Sequence, residues 1–125
     1  GPVDDPERFY GASDFLVLPS RYDSFGNVHL EALACGLPVI TTRMAGGSEV
    51  VRDGETGFII ENTSRTRELA DVILRLRDPE LRSRMSMLAP ETVRSFTPER
   101  NARETLQVYE RALKSRVDRG NSSVE

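Results

Sequence analysis

Two apolar runs on either side of a turn and a helical stretch constrain the fold of this chain more than any other feature. The segments DFLVL (14–18) and PVITT (38–42) have their apolar residues on successive positions rather than on alternate ones. Such runs are typical of parallel strands that are covered on both faces. The stretch between them, VHLEALAC, predicts a helix that Gly36 terminates. We therefore expect an α/β fold with a parallel sheet.

The remaining pattern adds a third strand and four further helices. The strand is GFII at 57–60, and the helices are predicted at 6–12, at 64–77, from about 79 and from about 98. Three of these helices begin with a capping residue followed by proline, at Asp5-Pro6, Asp78-Pro79 and Thr97-Pro98. No internal repeat interrupts this order.

The composition excludes several classes of function. With 17 basic and 20 acidic residues the net charge is −3, so no basic excess indicates a nucleic-acid partner. No apolar run is long enough to span a bilayer. A single cysteine and a single histidine exclude an internal disulfide and the usual zinc ligand set, and they fit a reducing, cytoplasmic location. We expect Cys35 to be a small core side chain and His29 to be a surface or capping residue.

The two ends of the chain lead us to expect a piece of a longer protein. The first residues, GPVDDPERFY, contain no initiating methionine and lead directly into a predicted helix, and three strands make a small sheet. The last residues, 117–125, are mostly polar and show no apolar periodicity. We expect this segment to be a disordered tail.

The turn after the first strand is the best candidate for a binding site, because ligands of open parallel sheets bind beyond the carboxyl ends of the strands. Phe25, Gly26, Asn27 and Val28 precede or open the following helix, so their amides are the unpaired donors of its first turn. With the helix dipole, those donors suit a diphosphate, and Gly26 leaves room for a phosphate against the backbone. The alternative is that Gly26 and Asn27 only form the turn and the N-cap.

Two carboxylates accompany this turn. Glu31 lies one turn inside a largely apolar helix, where we expect it to be buried and therefore to need a partner. Sugar hydroxyls are suitable partners, because an acid binds ribose in dinucleotide sites. The alternative is a salt bridge to Arg21, Arg43 or Arg52. Asp23 lies in the turn itself, free to reach into the crevice, unless its side chain closes an Asx turn on its own backbone.

The ordered elements of this region resemble the signature of retaining glycosyltransferases of the GT-B fold, family 4. The family pattern is LPS-x-x-E-x-F-G-x-x-x-x-E-A-x-A-x-G-x-P-V, followed by G-G-x-x-E and G-x-T-G. The matching residues here are Leu18-Pro19-Ser20, Asp23, Phe25-Gly26, Glu31-Ala32, Ala34, Gly36, Pro38-Val39, Gly46-Gly47, Glu49 and Gly54-Glu55-Thr56-Gly57. The resemblance implies a Rossmann-like sheet, with residues 1–116 forming part of a C-terminal donor-binding domain.

The resemblance also implies roles for the candidate residues. Glu31 would hold the ribose of a nucleotide-sugar donor, the amides from Phe25 to Val28 would hold its diphosphate, and Asp23 would contact hydroxyls of the transferred sugar. Asp23 stands where the family has glutamate, so its shorter side chain shifts that contact or places a water in it. Glu49 and the Gly46-Gly47 loop would border the sugar, with a packing role as the alternative. No metal and no cofactor besides the donor substrate is expected.

The implied function is the transfer of a sugar from a nucleotide-diphosphate donor to a hydroxyl acceptor. The segment YD-x-F-x-N-V resembles members that build lipopolysaccharide core or related surface glycans. A glycan or lipid-linked acceptor would bind through an N-terminal domain outside this chain, with peripheral attachment to the inner face of the membrane, and the chain alone would be inactive. Alternatives are a non-catalytic nucleotide-binding or interaction module and another GT-B enzyme, such as a sugar-nucleotide epimerase.

Overall fold

A computed structural model describes residues 4–24 and 26–121, with side chains described as far as residue 116. The strands are β1 (Leu16–Leu18), β2 (Val39–Thr42) and β3 (Gly57–Ile60), and a 3-10 turn covers Gly46–Glu49. The helices are α1 (Pro6–Gly11), α2 (Asn27–Ala34), α3 (Thr66–Arg75), α4 (Pro79–Val93) and α5 (Pro98–Asn121). The chain divides into two compact units, Gly1–Arg94 and Ser95–Glu125.

The three strands form one parallel sheet in the order β1-β2-β3. Val17 pairs with Ile40, and Ile40 pairs with Phe58, so all three strands run in the same direction with their carboxyl ends at one edge. A helix connects β1 to β2, as a parallel crossover requires. The predicted α/β fold with a parallel sheet is confirmed.

The apolar core lies on both faces of the sheet. Val39 and Ile40 are consecutive in β2, so their side chains point to opposite faces, and both are fully buried. Val39 packs in a cluster with Leu33 of α2, whereas Ile40 packs in a second cluster with Met85 of α4. Burial on both faces explains the sequence of the central strand β2, whereas the three residues of β1 are only partly buried at the edge of the sheet.

Local signals set the ends of several helices. The side chain of Asp78 accepts a hydrogen bond of 2.9 Å from the amide of Glu80 and so caps α4. Gly36 ends α2 with a φ of +75°, a conformation that favours glycine. Cys35 occupies the C-cap position before it and is exposed, so the expectation of a core side chain was wrong.

The second unit contains the long helix α5. Its large apolar residues Leu106, Val108, Tyr109 and Leu113 are exposed. Residues 117–121 of the tail predicted to be disordered belong to this helix, and 122–125 lie outside the described residues. Among the described residues, no helix combines the length and the apolar character needed to cross a membrane.

Candidate functional site

The turn after β1 meets the loop after β2 at the carboxyl edge of the sheet. Asp23 and Ala45 form a parallel bridge, and the amide of Gly46 donates a hydrogen bond of 2.8 Å to the carbonyl oxygen of Asp23. The hydroxyl of Thr42, at the end of β2, donates to the carbonyl oxygen of Ser20. The structure therefore brings Asp23 and the Gly46-Gly47 loop together where ligands of parallel sheets bind.

The start of α2 lies in the same place. Gly26 is the N-cap residue, and no side chain among the described residues accepts a hydrogen bond from the first turn of the helix. The amide of His29 is bonded to the carbonyl oxygen of Gly26 at 3.1 Å. The amides of Asn27 and Val28 come before it and have no carbonyl within the helix to bond. Phe25, the fourth predicted amide donor, lies outside the described residues.

The carboxylate of Asp23 lies against this helix start. A Cβ atom built on Gly26 would be only 2.6 Å from Oδ2 of Asp23, so the side chain extends across the turn toward the glycine. Asp23 is partly buried. An Asx turn from Asp23 would close on the amide of Phe25, two residues on, so that alternative falls on a residue that is not described.

Glu31 does not have the environment expected from the sequence. It is exposed rather than buried. Its Oε2 accepts a hydrogen bond of 2.9 Å from the hydroxyl of Tyr10. Among the described residues none of the three candidate arginines, Arg21, Arg43 and Arg52, forms a salt bridge with it, and Arg43 and Arg52 pair with Glu61 and Glu55 respectively. The remaining oxygen positions of the carboxylate are open to solvent or to a ligand.

Tyr10 links the first helix to Glu31, and its titration can be tested. Burial, followed by the hydrogen bond to Glu31 and the charge of that carboxylate, raises the pKa of Tyr10 from 10.0 to about 12. The neutral phenol therefore stabilises the fold fully below about pH 10. This contribution is lost as the pH rises toward 12, because the unfolded chain loses the proton first.

We expect Tyr10→Phe to remove this loss of stability between about pH 10 and pH 12. Urea unfolding at a series of pH values measures it. In Glu31→Gln the pKa of Tyr10 should fall only part of the way, because burial is the largest cause of the shift. An alkaline unfolding profile that is identical in wild type and Tyr10→Phe would contradict the assignment.

His29 is fully buried, which corrects the expectation of a surface or capping residue. Its Nε2 lies 2.9 Å from Oγ1 of Thr41, and its Nδ1 lies 3.2 Å from the carbonyl oxygen of Gly26. Its ring also lies against Gly47, where a Cβ would come within 2.2 Å of Cγ. Gly47 thus has a packing role in this structure, and Glu49 is exposed.

Sequence reasoning missed Tyr10, His29 and Thr41 as parts of the site. A helical signal for His29 was present, since positions 29, 32 and 33 share one face of α2 and all three are buried. Tyr10 left no such signal, because its partner is 21 residues away along the chain.

Comparisons with known proteins show which family this chain is similar to. Residues 1–78 match the family described as "Glycosyl transferases group 1". The D-inositol 3-phosphate glycosyltransferase of Arthrobacter sp. (strain FB24) is 38% identical over 120 residues, which are 94% of this chain and 28% of the relative. The N-acetyl-alpha-D-glucosaminyl L-malate synthase of Bacillus anthracis is 40% identical over 93 residues, which are 74% of this chain and 24% of the relative.

The solved structures show the same likeness in three dimensions. Sucrose-phosphate synthase from Thermosynechococcus elongatus superposes with a TM-score of 0.73 at 33% identity, over 86% of this chain and 27% of that protein. This chain spans about a quarter of the length of the two curated relatives, 28% of one and 24% of the other. The expected GT-B type of sheet is confirmed. From the matched residues and the shared fold, the chain belongs to the family of glycosyl transferases group 1.

Proposed function

We propose that this chain provides the donor side of a glycosyltransferase that moves a sugar from a nucleotide diphosphate to a hydroxyl acceptor. The observation that carries the proposal is the convergence of three features at one edge of the sheet. These are the uncapped start of α2, the carboxylate of Asp23 and the loop at Gly46. Such an edge is where parallel α/β sheets bind nucleotides.

The diphosphate would lie against the amides of Gly26, Asn27 and Val28, together with that of Phe25. Unpaired amides and the positive end of the helix dipole attract an anion at this position. Because the diphosphate gains charge as it leaves, amides already oriented to donate hydrogen bonds to it stabilise the transition state. Asp23 would accept hydrogen bonds from the transferred sugar and Glu31 from the ribose. We further propose that transfer retains the anomeric configuration and needs no metal ion.

The acceptor and the cellular location of the enzyme complete the proposed function. The names of the two relatives include D-inositol 3-phosphate and L-malate, both small compounds that carry a hydroxyl group. A surface-glycan or lipopolysaccharide acceptor is the narrower prediction from the segment around Asp23. We propose that the acceptor binds through a further domain of a longer enzyme, on the cytoplasmic side of the membrane. A panel of small and lipid-linked acceptors would separate these classes.

Two measurements test the donor assignment. In a longer protein that contains this chain, UDP-, GDP- or ADP-sugar should be consumed when acceptor is supplied, and Asp23→Ala should lower turnover. For the 125-residue chain, one of these donors should shift the amide resonances of Gly26, Asn27 and Val28, whereas the free sugar should not. The matched control is Asp53→Ala. It removes a carboxylate in the turn before β3 that accepts a hydrogen bond from the amide of Ile59. Failure of all three donor classes to be consumed by the longer protein would overturn the proposal.

A further inference from the structure

His29 lies directly beneath the proposed donor site but makes no contact that the proposed chemistry uses. It is fully buried, and it comes from the first turn of α2, the same turn that presents the amides of Asn27 and Val28. A fully buried polar side chain is costly unless its polar atoms are bonded. Both ring nitrogens have partners, which belong to two different segments of the chain.

The chemistry of these partners assigns the protons of the ring. The carbonyl oxygen of Gly26 only accepts, so a hydrogen bond at 3.2 Å requires a proton on Nδ1. In a neutral ring Nε2 then accepts from the hydroxyl of Thr41 at 2.9 Å, a shorter distance than the 3.4 Å from that hydroxyl to the carbonyl oxygen of Leu18, the other acceptor in reach. Thr41 is fully buried in β2. The imidazole therefore joins the turn before α2 to the central strand of the sheet.

The ring also fixes the loop after β2. A Cβ atom on Gly47 would lie 2.2, 2.3 and 2.4 Å from Cγ, Nδ1 and Cδ2 of His29, so the glycine backbone lies flat against the imidazole. The neighbouring amide of Gly46 donates to the carbonyl oxygen of Asp23. One ring thus contacts both the turn at Gly26 and the loop at Gly47.

We propose that His29 is a positioning residue for donor binding, which holds the diphosphate-binding turn at a set distance from the Gly46-Gly47 loop. The inference rests on the proposed function, because it assumes that the turn binds a donor. It adds a role for a side chain that touches no substrate. Loss of the ring should let the turn and the loop move independently, and the affinity for donor should fall while the core stays folded.

The first test is a double-mutant cycle between His29 and Gly47, the two residues in contact, and it needs no nucleotide-sugar donor. Gly47→Ala should destabilise the chain because the added methyl group collides with the ring. In a His29→Ala background the same substitution should cost little, because the ring is gone. The double variant should therefore unfold at a higher urea concentration than the two single effects predict when added. Additive effects would overturn the inference, whether or not the chain binds a donor.

The second test separates positioning from general stability. His29→Asn keeps a hydrogen-bond donor near the position of Nδ1, whereas His29→Leu keeps most of the side-chain volume without any hydrogen bond. Leu, but not Asn, should speed hydrogen exchange of the Gly46 amide and shift the resonances of Asn27 and Val28. Met85→Ala is the matched control, since it opens a cavity in the core on the other face of the sheet. Equal behaviour of the Asn, Leu and Met85 variants would show a packing role only and overturn the inference.

The third measurement connects the ring to donor binding. UDP-, GDP- and ADP-sugars are titrated into a longer protein that contains this chain, and the donor class that binds is used for the variants. His29→Leu should weaken binding about tenfold, and His29→Asn should recover most of that loss. If wild type binds none of the nucleotide sugars while the effects of His29→Ala and Gly47→Ala on stability remain non-additive, the proposed function fails. The link between the turn and the loop then still stands. If wild type binds and His29→Leu binds equally well, the positioning role is overturned.

Discussion

Replacing Glu31 with alanine is expected to weaken binding of a nucleotide-sugar donor by about 10- to 100-fold, or about 1.5–3 kcal/mol. The reason is that ribose hydroxyls would donate charge-assisted hydrogen bonds to this carboxylate. In the structure Glu31 is exposed and holds one partner, the hydroxyl of Tyr10, so it is available without disruption of the core. Calorimetric titration of the longer protein, with the class of nucleotide sugar that the wild type binds, measures the change in affinity.

Two further variants make the result specific. Glu55→Ala removes an exposed carboxylate that pairs with Arg52 in the turn before β3, and it should leave donor affinity unchanged. Tyr10→Phe removes the partner of Glu31 but not its charge, and it should have a smaller effect than Glu31→Ala. Donor affinity that is unchanged in Glu31→Ala would reject the ribose assignment, even if the protein is a transferase.

Gly57→Ala is expected to have the largest effect on stability, a loss of more than about 3 kcal/mol in the free energy of unfolding. Gly57 pairs with Val39 in the sheet. A Cβ atom at this position would lie 1.9 Å from the carbonyl oxygen of Val39 and 2.8 Å from its carbonyl carbon. These are backbone atoms of the central strand, so they cannot move aside as a flexible side chain does. Urea unfolding followed by circular dichroism measures the loss.

The matched control is Gly11→Ala, at the end of α1. No atom lies within 4 Å of a Cβ built there, and alanine favours helix over glycine, so this variant should be neutral or slightly stabilising. A domain of this size is stable by only about 5–15 kcal/mol, so the two variants should differ clearly. If Gly57→Ala unfolded at the same urea concentration as wild type, the pairing of β2 and β3 would be in error.

Much of the fold followed from local signals in the sequence. The apolar runs around residues 16–18 and 39–42 predicted parallel strands correctly. The expected burial on both faces holds for β2, whereas the residues of β1, at the edge of the sheet, are only partly buried. Gly36 marked the end of α2 correctly, since its φ of +75° is a conformation that few other residues adopt. The turn after β1 was likewise placed at the carboxyl edge, because the direction of parallel strands determines which loops meet there.

The environment of individual side chains was not predictable in the same way. The sequence places His29, Glu31 and Cys35 on one short helix, and the shared face of positions 29, 32 and 33 is a signal for burial, but it does not give the partners of these side chains. The tertiary structure shows that His29 is buried and that Glu31 and Cys35 are exposed. It also shows that Tyr10 bonds Glu31, which lies 21 residues away along the chain. Backbone order follows from local patterns, whereas a side chain's burial and partners depend on contacts between segments that are distant in the sequence. The sequence alone therefore determined which turn is the candidate site, and the tertiary structure decided which side chains are buried beside it.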